Sequence, residues 1–375
     1  MKIKSVDLGI ISNSRNEETI EVTINNKFKA SCGGDGILNK TINENPNQGL
    51  FFLNKILNKG LYDYDVNDFK DILEIEELLL NYDNSHELKK IGGNVLLSLE
   101  FALLKLISNN KPFSVLNKRP DKFPLHLCNC IVTNFKENKH QQEIILIPKT
   151  NKFSDGYFAN SYVYKNLNKI LKTNEKNDEG SFITNLKNED VLFQLEKLTS
   201  EVTKKLGIEF AFGLNLNSKS IFKNGIYKIG DKSFTVNEHI SELNKLVNKF
   251  DIEYLEDPLS VENIKLMGKL KTDYISGNRV FSNNLQNFKK FARYFNCAIV
   301  KINELGSLGR LKRITDFCKN NDINTVLGQT LGDTNETIIS DLAVGFEFDF
   351  IKYSVFGKER ISKLNQIKFI EDQFI

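Results

Sequence analysis

Tryptophan is absent from the 375 residues, and only five cysteines and four histidines are present. Cys32, Cys128, Cys130, Cys297 and Cys318 are odd in number and scattered. They do not make a disulfide framework, which points to a reducing compartment. No stretch approaches the roughly 20 apolar residues of a membrane span. The opening MKIKSVDLGIISNSR has no apolar run of signal-peptide length. Cytoplasmic placement is the expectation. Charge of one sign is also missing: 51 Lys and Arg against 48 Asp and Glu leave a net +3. That balance carries no electrostatic footprint for nucleic acid or an anionic membrane. Nucleotide-binding signatures are lacking too, with no GxGxxG after a strand and no GxxxxGK[ST]. What is present, 40% hydrophobic and 26% charged residues, excludes a disordered chain. The abundance of Asn and Lys, with no Trp, fits a biased genome rather than a function.

The length suits two domains, or one large α/β barrel with an added module. Residues 2–12, 18–25 and 27–32 read as strands, followed by a flexible turn or lid at Gly33-Gly34-Asp35-Gly36. Helical spacing follows over 48–60, 66–81 and 92–108. From about residue 125 short β-rich runs alternate with helical patterns. The candidate strands are 144–148, 210–217, 252–257, 273–278, 298–302, 324–329 and 349–354. The helical patterns include 186–205, 236–249, 285–295, 306–320, 335–346 and 358–370. Such alternation predicts parallel strands with helical crossovers, and seven or eight units match a closed barrel. The fold class is therefore α/β, a (β/α)8-type barrel over 125–375 preceded by an α+β lid or capping domain over 1–120. A doubly wound open sheet is the alternative.

Barrel active sites lie at the C-terminal ends of the strands. Asn215, Glu256, Asn278, Gln329 and Lys352 stand at such ends, and Lys301 lies one residue before another. One carboxylate and two lysines suit an anionic ligand, or a lysine acting on a proton beside a carboxylate. Wet, polar strand ends are the plainer reading.

Several stretches resemble the enolase family in collinear order over nearly the whole chain. They are Ser14-Arg15 with Thr19-Ile20-Glu21-Val22, Gln142-Glu143 before Ile147-Pro148, and Asp178-Glu179-Gly180. They continue with Leu255-Glu256-Asp257-Pro258, Val300-Lys301-Ile302-Asn303, Gly332-Asp333-Thr334-Asn335-Glu336-Thr337, and Glu359-Arg360-Ile361-Ser362-Lys363-Leu364-Asn365-Gln366. The chain is shorter than a usual member. The resemblance implies a phosphopyruvate hydratase, a lyase of glycolysis in which two magnesium ions hold a phosphorylated hydroxy acid. It puts Lys301 on the base and Glu179 on the acid, Glu143 and Lys352 on substrate contacts, and Glu256 on a metal ligand. Lysine bases with magnesium-stabilised intermediates are the pattern of such sites.

The departures are specific. Asn215 and Asn278 stand where the resemblance implies two aspartate metal ligands, which takes the ligand charge from −3 to −1. Magnesium prefers carboxylates. Arg279 adds a positive charge beside the site. Gln329-Thr330-Leu331 replaces a His-Arg-Ser phosphate grip, and Asn134 replaces a loop histidine; neither supplies a bidentate guanidinium. The serine lid is shortened to Ser31–Gly36. Without magnesium, Lys301 is expected to be an ordinary ammonium paired with Glu256. These departures favour an enolase-like protein with a degenerate site, a pseudoenzyme without normal hydratase activity, or one with a weak activity on a small anionic ligand. The alternative is a working, magnesium-dependent enolase with atypical ligands. A third reading is a structural partner, either a homodimer or a subunit paired with an intact enolase. His126, Cys128 and Cys130 share one face of an extended segment, and with His140 they are read as structural rather than as a zinc site. His86 and His239 are expected to face solvent.

Overall fold

The computed structural model describes all residues except 35–45, 58–60, 63, 86, 136–139 and 375. The sequence expectation for His86, and for the Asp35–Gly36 half of the lid, lies outside the described residues.

A three-stranded antiparallel sheet opens the chain: β1 (Val6–Ser12), β2 (Glu18–Ile24) and β3 (Phe28–Cys32). Alternation puts Ile20, Val22 and Ile24 on the buried face. Helices α1 (Pro46–Leu57), α2 (Phe69–Asp83), α3 (Gly93–Ser108) and the short α4 (Phe113–Leu116) follow. Asp68 caps α2 in a reciprocal box with Asp71. Helix α3 packs on β2 and β3 and also meets the barrel. Being covered on both sides, it is apolar nearly all round.

Eight strands then close a barrel: β4 (Leu125–Phe135), β5 (His140–Lys149), β7 (Glu209–Asn215), β11 (Ile252–Glu256), β12 (Tyr274–Gly277), β13 (Cys297–Val300), β14 (Asn324–Gly328) and β15 (Phe350–Lys352). Pairing of β15 with β4 closes the ring, and the short β6 (Phe182–Thr184) adds to the outside of β4. The all-parallel expectation fails at one strand. β5 runs antiparallel to both neighbours, β4 and β7. Only residues 136–139 separate β4 from β5, too few for a helical crossover. β4 escaped the candidate strands because His126, Asn129 and Thr133 break its apolar pattern while being buried themselves.

The other helices lie outside the barrel: α5 (Phe153–Tyr164), α6 (Leu167–Leu171), α7 (Asn188–Leu206), α8 (Val236–Phe250), α9 (Leu285–Phe291), α10 (Ile302–Leu305), α11 (Leu308–Lys319), α12 (Ile338–Gly345) and α13 (Lys358–Glu371). A small antiparallel sheet, β8 (Phe222–Lys223), β9 (Ile226–Ile229) and β10 (Lys232–Thr235), interrupts the alternation between β7 and α8. Inside the barrel Leu127, Ile145, Tyr254, Ile299, Val326 and Phe350 fill the lower layers. Among the described residues no helix is long and apolar enough to cross a membrane.

Candidate active site

Strand register assembles the site. Glu143 of β5 pairs with Asn215 of β7, and Asn215 with Glu256 of β11. Because β5 runs backwards, its early residue Glu143 reaches the rim where the parallel strands end. Lys352, the last residue of β15, comes from across the barrel beside Gly328. A side chain at Gly328 would sit 2.7 Å from Ile299 Cγ2 and 3.1 Å from Lys301 Cγ, so glycine leaves the space that Lys301 crosses.

These residues form one hydrogen-bonded cluster. Lys352 Nζ lies 2.6 Å from Glu143 Oε2 and 2.7 Å from Glu256 Oε2. Asn215 Nδ2 donates to Glu143 Oε2 at 3.1 Å, and Asn278 Nδ2 donates to Glu256 Oε1 at 2.8 Å. The Asp257 carboxylate accepts the backbone N–H groups of Asn278 (2.9 Å) and Arg279 (3.1 Å). Burial alone would strip the charge from all three ionised groups of the Lys352 cluster. For Lys352 the two carboxylates outweigh burial and hold its pKa above the usual lysine range. Burial is likewise outweighed at Glu143, where Lys352 wins and lowers the pKa. At Glu256 burial wins and raises it.

Above this cluster opens a cavity of about 640 Å³, bordered by Glu179, Asn215, Asn278, Arg279 and Lys301 among others. The structure therefore gathers the polar strand-end residues at one mouth, with Asn215, Asn278 and Lys301 on its wall and Glu256 and Lys352 beneath. Burial, then the nearby Glu143, pushes the Glu179 carboxyl up to about 7. Asn129 Nδ2 donates to it at 3.4 Å. Lys301 did not take the expected partner. Glu256 is occupied by Lys352, and Lys301 Nζ lies 3.2 Å from Glu304, three residues along the chain. Burial pulls the Lys301 pKa down, but Glu304 and then Glu179 outweigh it and raise it. Lys301 thus stays an ammonium at neutral pH, whereas a lysine base needs a depressed pKa.

Two predicted substrate contacts lie elsewhere. Gln329 is buried beside the mouth, its Oε1 accepting from Arg360 Nε (3.2 Å) and Ser354 N (3.3 Å). Asn134 borders a second cavity, on the other side of the β5 wall. The described half of the lid is pinned: Gly34 N donates to Gly332 O at 2.8 Å. Arg15 reaches Asp178 of its own chain at 2.9 Å.

Sequence reasoning missed several groups that shape the site. Arg360 Nη2 donates to Asp178 O at 2.7 Å and so anchors the loop carrying Glu179. Lys176 stands 4.5 Å over the rings of both Phe182 and Phe356, a cation–π clasp on that same loop. The i,i+3 spacing of Lys301 and Glu304 was a visible signal for their pairing. His239 is a correction: it is buried, stacked on Tyr227 at 4.1 Å, with Nε2 3.1 Å from Pro258 O. It lies four residues before Leu243 and eight before Val247, on the apolar stripe of α8. His126 spends its ring nitrogens on Tyr353 O (2.9 Å) and Asn160 Nδ2 (3.2 Å), as a structural histidine does. Among the described residues no group of three or more His, Cys, Asp or Glu side chains is arranged to hold a metal ion.

Residues 125–375 match the family model described as the C-terminal TIM barrel domain of enolase. Whole-chain relatives agree. An enolase of Sulfolobus acidocaldarius is 28% identical over 341 residues, covering 85% of this chain and 80% of that protein. One from Ehrlichia ruminantium (strain Welgevonden) is 29% identical over 322 residues, covering 80% and 76%. A third, from Ureaplasma parvum, is 27% identical over 378 residues, covering 90% and 85%.

Proposed function

The chain belongs to the enolase family, and on that premise we propose that its barrel mouth works without magnesium, binds a small anion, and lacks ordinary phosphopyruvate hydratase activity. The observation that carries this reading is the direction of two hydrogen bonds. Asn215 and Asn278 turn N–H donors toward Glu143 and Glu256. A metal needs lone pairs at those positions. The residues present therefore do not fit the ion. The Lys352 ammonium bridges both carboxylates and offsets one of their two charges from within. Charge arithmetic supports the same conclusion. Three carboxylates around one dication total −1, and Glu256 between two neutral amides also totals −1. Losing two aspartates together with the ion leaves the charge of the locus unchanged.

What the chain offers a ligand is positive charge and a proton. Arg279 and Lys301 border the cavity. Glu179, titrating near neutrality, can give or take a proton across it. The five buried, unpaired thiols support a reducing, cytoplasmic setting.

The experiment is a direct assay of 2-phosphoglycerate dehydration with magnesium in excess. Turnover at background is expected. A kcat in the common enzyme range of roughly 1–10³ s⁻¹ would overturn the reading and return the chain to the working enolases.

A further inference from the structure

A second cavity, of about 450 Å³, lies behind the wall of the mouth. Strand alternation separates the two spaces. Gln141, Glu143, Asn215 and Asn217 face the mouth, whereas Gln142 and Leu216 between them face the second cavity. Its volume falls within the range of small-molecule sites, roughly 300–1,000 Å³. The space is roofed by the β8–β10 excursion and floored by α8.

One side is apolar, formed by Leu216, Ile229, Phe234, Leu243 and Leu246. The opposite side is amide. Thr133 Oγ1 donates to Asn188 Oδ1 at 2.7 Å, and Asn188 Nδ2 donates to Gln142 Oε1. This relay uses the Gln142 acceptor and leaves its Nε2 buried with no partner among the described residues. His239, on the floor, is held neutral at pH 7, since burial pushes its pKa down to about 4.

The rim decides the charge of the occupant. Of its carboxylates, Glu189 is held by Lys249, and Glu242 by Lys245 at 2.6 Å. Lys187 and Lys232 have no carboxylate at ion-pair distance among the described residues; Asp231 and, at longer range, Glu189 are the acids that face them. An apolar wall beneath ammonium groups held in no ion pair fits a molecule with an apolar body and one anionic end. We infer that this cavity is a ligand site, separate from the barrel mouth, for an apolar monocarboxylate.

The test is calorimetric titration of the full-length protein with 1-naphthaleneacetate, beside its neutral analogue 1-naphthalenemethanol. Saturable binding is expected, with the neutral analogue weaker by about tenfold or more, the loss of one charge contact of about 1.4 kcal/mol. The double variant Lys187→Glu/Lys232→Glu should weaken the carboxylate by at least as much and leave the alcohol unchanged. Leu246→Trp, which fills the cavity, should abolish binding of both. Arg279→Ala, in the mouth, should change neither. The rim variant is a surface change, so it decides the matter even if Leu246→Trp fails to fold. No binding at millimolar concentration, equal binding of acid and alcohol, indifference to the rim variant, or loss of binding on Arg279→Ala would each overturn the inference.

Discussion

Two pairs of glutamates stand in and beside this barrel, three of the four buried and Glu143 half-buried, and they are stabilised in different ways. At the mouth, Glu143 and Glu256 share one ammonium, Lys352, and each takes a further N–H from a side-chain amide. At the junction with the N-terminal domain, Glu76 and Glu100 have no ammonium between them. Glu76 accepts Ser307 Oγ at 2.8 Å and Gly309 N at 2.6 Å, while Glu100 accepts Leu308 N at 2.9 Å. These donors are the first turn of α11, where free N–H groups and the helix dipole favour negative charge. Burial, then Glu76, pushes the Glu100 carboxyl well above its usual range. One pair shares a bridging ammonium; the other is met chiefly by O–H and N–H donors, with the Arg310 guanidinium acting on both acids without outweighing burial at Glu100. Both pairs find hydrogen-bond donors among the chain's own groups. Burying two acids side by side is thus no sign of an ion site until the donors around them are counted.

The largest expected effect separates the pairs outright. Lys352→Met leaves two carboxylates buried without their cation, which should cost about 3–5 kcal/mol in urea unfolding. A loss below about 1 kcal/mol would mean the ammonium is not what holds the mouth together. Next comes Glu76→Ala, which orphans Ser307 Oγ and the Gly309 N–H at the helix start. Hydrogen bonds to charged groups contribute about 1.5–3 kcal/mol, and a loss of that size is expected by the same method. An unchanged midpoint would show that water takes over both donors.

The third test uses pH. The folded-state pKa of Glu100 is raised above its unfolded value of about 4.3. The folded chain therefore binds more protons above that pH, and stability falls as pH rises through the folded value. Glu100→Gln keeps an N–H for Glu76 and an acceptor for Leu308 without the titration. Its stability should decline less than that of the wild type between pH 5 and 8, by on the order of 1 kcal/mol. Parallel curves would contradict a raised Glu100 carboxyl. The smallest effect concerns Glu179. Its carboxyl should titrate near 7 by carbon NMR. Since Lys301 lowers that value, Lys301→Met should move it upward; a downward shift would refute the coupling.

The two pairs also differ in how far sequence revealed them. Glu256, Asn215 and Lys352 stand at the ends of β-rich runs, so a barrel reading places them at one rim, and the family resemblance adds Glu143 and Glu179. Register then fixes what sequence could not: the reversal of β5 brings Glu143 beside Asn215, and Lys352 rather than Lys301 reaches Glu256. Competition for a cation is a three-dimensional matter, and no spacing encodes it. Glu100 did leave a trace, as the one acid within the apolar run of α3. Its partners are 208 residues away at Leu308, beyond any local pattern. Gly309 is the matching half of that signal, since a side chain there would lie 2.5 Å from Glu76 Oε1.

Whether internal donors stand at the mouth in place of an ion, as proposed, is decided by magnesium calorimetry on the wild type and on Asn215→Asp/Asn278→Asp. Restoring two carboxylates returns the donor set that magnesium prefers. No binding heat is expected for the wild type at millimolar magnesium, and a saturable site is expected in the double variant. Stoichiometric micromolar binding by the wild type would overturn the proposal.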